Sequence, residues 1–218
     1  MGKIICKILK EKEVGSMGIG AMIIFIAMVL VAGIAASVLI QTSTTLESQA
    51  LATGKETTAE VATGLSVVTV EGYKWNSSLH LLAVMIRPRA GSNEIDLAQT
   101  VLEISDSVTK NFLTYDDSTY TPSTEVAGDL FRWANYTNDA THFSIIVLED
   151  ADNSCSSATT AVVNSGDYVV LGINVSQCFS GLDARDDVWG MIIPEDGSPG
   201  VINFKCPASF TDTVIELQ

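Results

Sequence analysis

The densest group of oxygen ligands is Glu149-Asp150-Ala151-Asp152-Asn153, in which four of five side chains end in a carboxylate or an amide. Asp167 follows the turn residues Ser165-Gly166 and can approach that loop. Asp150, Asp152, Asn153 and Asp167 would suit Ca²⁺ or another divalent cation, which takes hard oxygen ligands. The spacing is not that of an EF-hand, so a solvated acidic turn is the competing reading. Three sequons, beginning at Asn76, Asn135 and Asn174, could accept N-linked glycans on an exported chain; unmodified surface asparagines are the alternative. The cysteines are Cys6, Cys155, Cys178 and Cys206. The last three cannot all pair within one chain. Cys155 and Cys178 flank one predicted strand, so an oxidising exterior could bridge them; otherwise all three are buried thiols.

Enzyme chemistry has no visible carrier. The chain lacks His-Glu-x-x-His, Gly-x-Ser-x-Gly, a phosphate-binding glycine loop and Cys-x-x-Cys. His80 and His142 are the only histidines, each expected at a strand edge with no nucleophile assigned to it. No cofactor is required by any motif. The formal net charge is −14, and from Ser16 onward it is −16, with 8 basic against 24 acidic residues. Such a body repels phosphate backbones, which excludes nucleic acid as a partner.

The element that organises the chain lies before all of these groups. Residues 15–46 carry no charge, and residues 19–40 are almost wholly apolar. Ile19, Ile23, Ile24, Phe25, Ile26, Met28, Val29, Leu30, Val31, Val38 and Leu39 lie all round a helix rather than along one stripe. A helix of that kind is buried on every side, in lipid or inside an assembly, and about 20 such residues cross a bilayer. Lys3, Lys7, Lys10 and Lys12 precede it, as in a secretory signal or a signal anchor. The helical pattern then runs on, amphipathic and without proline, to a stop at Gly64. From Ser16 that is about 49 residues, or roughly 70 Å of helix.

Beyond Gly64 the period changes. Short β-branched or alternating runs occupy 65–70, 80–87, 97–104, 111–115, 130–133, 143–148, 168–175, 188–193, 201–205 and 214–217, with turn residues between them. Strands at this spacing without intervening helices predict an antiparallel sandwich or barrel. Residues 116–128, rich in Thr, Ser and Asp, are expected to form the longest loop.

Several stretches together carry a family resemblance. They are Gly15-Ser16-Met17-Gly18-Ile19-Gly20, the runs 24–32 and 35–40, Gly54-Lys55-Glu56, Gly64-Leu65, Gly91-Ser92, Pro207-Ala208-Ser209-Phe210-Thr211 and Glu216-Leu217-Gln218. With these the chain resembles the archaeal flagellins (archaellins), subunits of the archaellum filament, over nearly its whole length. The resemblance implies an α+β fold: a long N-terminal hydrophobic helix followed by an antiparallel immunoglobulin-like β-sandwich. It implies a class III, prepilin-type signal peptide at 1–15, a filament-core helix at 16–64 and an outer β-sandwich domain at 65–218. A prepilin peptidase would cut between Gly15 and Ser16, leaving the helix in the mature subunit. The subunit would reside transiently in the membrane, meet the motor and platform proteins of the archaellum, and join a homopolymer for swimming. The resemblance also implies N-glycans on the outer domain, and lends support to a metal ion there. Bacterial type IV pilins typically carry Glu at the fifth mature position, where this chain has Gly20. The alternatives are an adhesive archaeal type IV pilin and a membrane-anchored β-sandwich binding ectodomain.

Overall fold

The computed structural model describes residues 2–126 and 128–218, with side chains from Met17 onward apart from residue 127. The chain divides into two compact units, Met1–Lys55 and Glu56–Gln218. The first belongs to helix α1, Gly2–Ala62. No proline occurs before Pro88, so nothing interrupts its backbone ladder. Gly15 and Ser16 fall within α1, and their side chains lie outside the described residues. From Met17 to Leu51 the apolar side chains are exposed within the single chain, Phe25 and Leu39 each at 68%. Below them the polar side chains turn inward on their own helix. Thr42 donates to the Leu39 carbonyl (3.0 Å), Thr44 and Thr45 to that of Gln41 (3.0 and 2.9 Å), and Ser48 to that of Thr45 (2.9 Å). These hydroxyls therefore need no water, and this stretch also tolerates apolar surroundings.

Helix α1 ends at a close backbone approach. The Thr63 carbonyl accepts from Ser198 N (2.9 Å), and the Ser198 carbonyl accepts from Leu65 N (3.2 Å). A Cβ on Gly64 would stand 2.7 Å from the Ser198 carbonyl oxygen. Gly197, at φ +93°, would place one 2.2 Å from the Thr63 oxygen. Gly64 marks the stop because only a bare Cα fits there.

The second unit contains β1 (Leu65–Trp75), β2 (Ser78–Pro88), β3 (Ile95–Asp96), β4 (Val101–Ser105), β5 (Lys110–Thr121), β6 (His142–Glu149), β7 (Val162–Val163), β8 (Tyr168–Asn174), the short helix α2 (Val175–Cys178), β9 (Asp187–Ile193), β10 (Gly200–Lys205) and β11 (Val214–Glu216). Nine strands follow one another in the order β10-β9-β4-β5-β6-β8-β2-β1-β11. Strand β5 changes partner along its length. Its first residues pair antiparallel with β4 (Leu113 opposite Leu102), and its later ones pair parallel with β6 (Thr121 opposite Ile146). The β10-β9-β4 side and the β6-β8-β2-β1 side thus enclose one core, with Leu102, Ile104, Ile192 and Ile202 packed with Leu82, Val84, Ile145 and Leu171.

The sheet is antiparallel, as expected, except at β5·β6, which is parallel. Three expectations are corrected. Residues 97–99 form a 3₁₀ turn, capped by the Asp96 carboxylate on Ala98 N at 2.8 Å, so β4 begins only at Val101. Residues 130–133 are not a strand: they lie in a turn and 3₁₀ segment that packs over the outer side of β2, β6 and β8. The expected loop 116–128 is strand β5 as far as Thr121, and its residue 127 lies outside the described residues.

β2, β6 and β8 read as near-continuous apolar runs because both of their faces are buried. One face lines the main core; the other presents Leu81, Ala83, Ile146 and Val170 to Phe131 and Tyr136 of that outer segment. β9 and β10 instead alternate strictly, inner residues buried and outer ones open to solvent.

Candidate assembly surface and modification sites

The acidic loop closes as its residue types require. Asp150, Asp152 and Asp167 each bring a carboxylate oxygen within 4.8 Å of the others. Ligands about 2.4 Å from a shared Ca²⁺ can stand no further apart than that. The donor set is all oxygen and therefore fits a hard cation. The same carboxylates also organise the loop. Asp150 accepts from the amides of Ser154 and Cys155 (both 3.2 Å), and Asp167 from those of Ala151 (3.1 Å) and Asn164 (2.9 Å). The Asn164 side-chain amide donates to Asp152 at 2.6 Å. That bond, followed by the Ser154 hydroxyl, holds the Asp152 carboxyl below the ordinary carboxylate range. Asn153 contributes the turn, at φ 63°. Among the described residues no lysine, arginine or histidine pairs with this group. Asn164 and Ser154 are the partners that sequence reasoning missed; a second oxygen- and amide-bearing turn flanking β8 was the available signal.

The three sequons separate. Asn76 is exposed at the β1–β2 hairpin, at φ 59°, a backbone region that asparagine tolerates. Asn135 and Asn174 lie inside the fold. The Asn174 amide donates to the Thr137 carbonyl (3.0 Å), its oxygen accepts from Ser176 (2.5 Å), and the residue is buried. Asn135 is buried too, and its amide nitrogen meets no solvent. Neither amide group is open to solvent in the folded chain.

The bridge between Cys155 and Cys178 is also corrected: Cys155, Cys178 and Cys206 are free thiols. The Ser154 hydroxyl bonds Asp167 at 3.3 Å, which sets Cys155 beside the start of the seven-residue strand β8, whereas Cys178 follows its end. Seven extended residues span roughly 20 Å, whereas a disulfide needs Cα atoms within about 7 Å. Burial pushes the Cys155 thiol up to about 12, helped by the charges of Asp150 and Asp167. Burial likewise raises Cys178 and Cys206 to about 11. None is activated. His142 bonds Asp139 at 2.7 Å, and His80 lies edge-on to Trp133 at 6.5 Å. Neither forms a nucleophile–base pair.

What remains is a surface rather than a pocket. A helix 61 residues long, apolar on every side from Ile19 to Ile40, precedes a sheet domain whose described residues form no catalytic constellation. That is the class of protein that builds a filament by burying its helix among copies of itself. A sequence model of archaeal-type flagellins matches residues 15–204. Flagellin B2 of Methanocaldococcus jannaschii is 48% identical over 214 residues, which cover 96% of this chain and 97% of that protein. The crystal structure of archaeal flagellin FlaB1 from the same organism superposes with a TM-score of 0.66 at 36% identity, covering 72% of this chain and 98% of the other. The archaeal flagellum of Methanospirillum hungatei strain JF1 shares the fold at a TM-score of 0.60 and 16% identity, over 91% and 98% of the two chains. This chain belongs to the archaeal-type flagellins and is a structural subunit of the archaeal flagellar filament.

Proposed function

We propose that this subunit is made with a removable leader, waits in the membrane and then enters a rotating extracellular filament, without catalytic activity of its own. The observation that carries the reading is α1. Its apolar side chains are exposed from Met17 to Leu51 within the single chain, and its Thr and Ser hydroxyls bond to its own backbone. Either lipid or neighbouring helices satisfy such a surface. Cutting between Gly15 and Ser16 by a prepilin peptidase removes Lys3, Lys7, Lys10 and Lys12 and keeps the apolar helix. Transfer from lipid to filament exchanges one apolar environment for another, so packing decides the balance. Gly18, Gly20, Ala21, Ala27, Ala32, Gly33, Ala35 and Ala36 let helices approach closely. Motor and platform proteins of the archaellum would then turn the filament for swimming. Asn76 would carry the glycan, and Asp150, Asp152 and Asp167 would hold a Ca²⁺-like ion that stiffens their loop without taking part in a reaction.

The test is the N-terminal residue and peptide masses of the subunit in filaments sheared from producing cells. A start at Ser16, with carbohydrate mass on the Asn76 peptide alone, is expected. A start at Met1 or Gly2 defeats processing, and sugar on Asn135 or Asn174 defeats the assignment to Asn76. Ala32→Arg should leave the sheet domain folded and stop incorporation; normal filaments from that variant would sink the helix-packing account.

A further inference from the structure

The outer face of β10-β9-β4-β5 is apolar at its centre and open. Register aligns Val201 with Met191, Met191 with Glu103 and Glu103 with Phe112, while Ile193 stands opposite Val101 and Trp189 opposite Ser105. Phe112 is 55% exposed, Val201 56%, Trp189 41% and Ile193 40%. Contiguous exposed apolar surface of this kind marks an interaction site, and aromatic residues such as Trp supply the anchors of protein interfaces.

The charges on this face cancel within the chain. Lys110 Nζ stands 2.5 Å from Glu103, and 5.3 and 5.0 Å from the ring centres of Phe112 and Trp189. Lys205 reaches both carboxylate oxygens of Asp187 at 2.8 Å. Each cation here is held by an acid of the same face, on a chain that carries −16 from Ser16 onward. Two copies with that charge repel wherever acidic surfaces meet. A face with no net charge can meet an acidic neighbour without like-charge repulsion, and its apolar centre contributes burial.

We infer that this sheet face is a contact between copies of the chain along the filament, with Phe112 and Trp189 as its anchors. This rests on the filament-subunit reading and adds a second adhesive surface outside α1. A filament grows by repeating one head-to-tail operation, so the face meets a different part of its neighbour rather than its own image.

The experiment is hydroxyl-radical footprinting with peptide mass spectrometry on intact filaments, and on the same filaments dissociated in mild detergent with their β-sheet circular dichroism retained. Oxidation of Phe112 and Trp189 should fall at least five-fold in the filament; a smaller change overturns the inference while leaving the filament reading intact. Protection that vanishes when a co-purifying polysaccharide or envelope protein is stripped from intact filaments also overturns it, because the occupant is then not a second copy. Finding the chain in no filament removes the reading beneath it. Producing cells that carry Phe112→Glu with Trp189→Glu supply a second readout. At unchanged subunit level and unchanged circular dichroism, filament mass should drop at least ten-fold, and wild-type yield would overturn the contact.

Discussion

The two outer sheet faces of this domain are treated in opposite ways. Over β2, β6 and β8 the chain lays its own segment, so that Phe131 stacks 5.5 Å from Tyr73 and 6.3 Å from Tyr136, above Leu81, Ala83, Ile146 and Val170. Over β9 and β10 the described residues lay nothing, and Trp189, Ile193 and Val201 stay open. Both faces carry large apolar side chains. The difference is that the first is completed within one chain, whereas the second keeps only paired charges, Lys110 with Glu103 and Lys205 with Asp187. A subunit that stabilised itself on every side would have little left with which to hold a neighbour.

The largest effect should come from stripping the covered face. Phe131→Ala removes a side chain that is 7% exposed and wedged between two tyrosines. Losses of this kind cost about 3 kcal/mol or more. Urea unfolding of the full chain in detergent, followed by near-UV circular dichroism, should show that loss. A change below about 1 kcal/mol would mean that the segment rests on the sheet without stabilising it. Gly172→Ala attacks the same contact from beneath. Its Cβ would lie 2.3 Å from the Ser144 hydroxyl and 2.9 Å from the Tyr136 ring. We expect about 2 kcal/mol of destabilisation from the overpacking and a loss of the Tyr136 near-UV signal.

This contrast explains which parts of the molecule could be read from the chain. α1 announced itself through uninterrupted apolarity, a property of composition alone. β9 and β10 announced themselves through alternation, because only one of their faces is buried. The covering segment reads as a strand at 130–133, since Phe131 and Trp133 have strand propensity, but Phe131 packs over β2, β6 and β8 and Trp133 against Trp75 and His80. The parallel pairing of β5 with β6 leaves no local trace: it depends on which strand β5 meets after leaving β4. The acidic loop was legible because its ligands are close in sequence, with Asp167 beyond a recognisable turn. That Asn135 and Asn174 are buried was not legible, because a three-residue motif says nothing about burial. The Cys155–Cys178 bridge failed because the acidic loop folds Cys155 back to the start of β8 while Cys178 lies past its end.

An intermediate effect should come from alkali, acting on the inner core that both sides share. The Cys155 thiol is raised to about 12 in the folded chain, against an ordinary 9.0. The unfolded thiol therefore loses its proton first. Below pH 9 the full contribution is present, and it declines as pH rises from 9 toward 12. Unfolding midpoints in urea should fall over that window and stay flat just below it. Cys155, Cys178 and Cys206 should resist alkylation at pH 8 in the native chain and react fully once it is unfolded. Phe131→Ala sharpens the comparison, because it opens the outer cluster and not the core around Cys155. Rapid alkylation of Cys155 in that variant would show that the covering segment also guards the inner core.

The smallest effect should come from the open face in the isolated subunit. Phe112 is 55% exposed, and its truncation to Ala removes little that the single chain buries. Surface changes of this kind fall within about 0.5 kcal/mol. Urea unfolding of the dissociated Phe112→Ala subunit should thus match wild type. The same substitution in the filament should lower the temperature at which filaments dissociate. That pairing of outcomes separates the two faces: Phe131 stabilises the chain whether or not a neighbour is present, and Phe112 does so only beside one. If Phe112→Ala destabilised the isolated subunit as much as Phe131→Ala does, the open face would be part of the chain's own fold, and its exposure would carry no message about assembly.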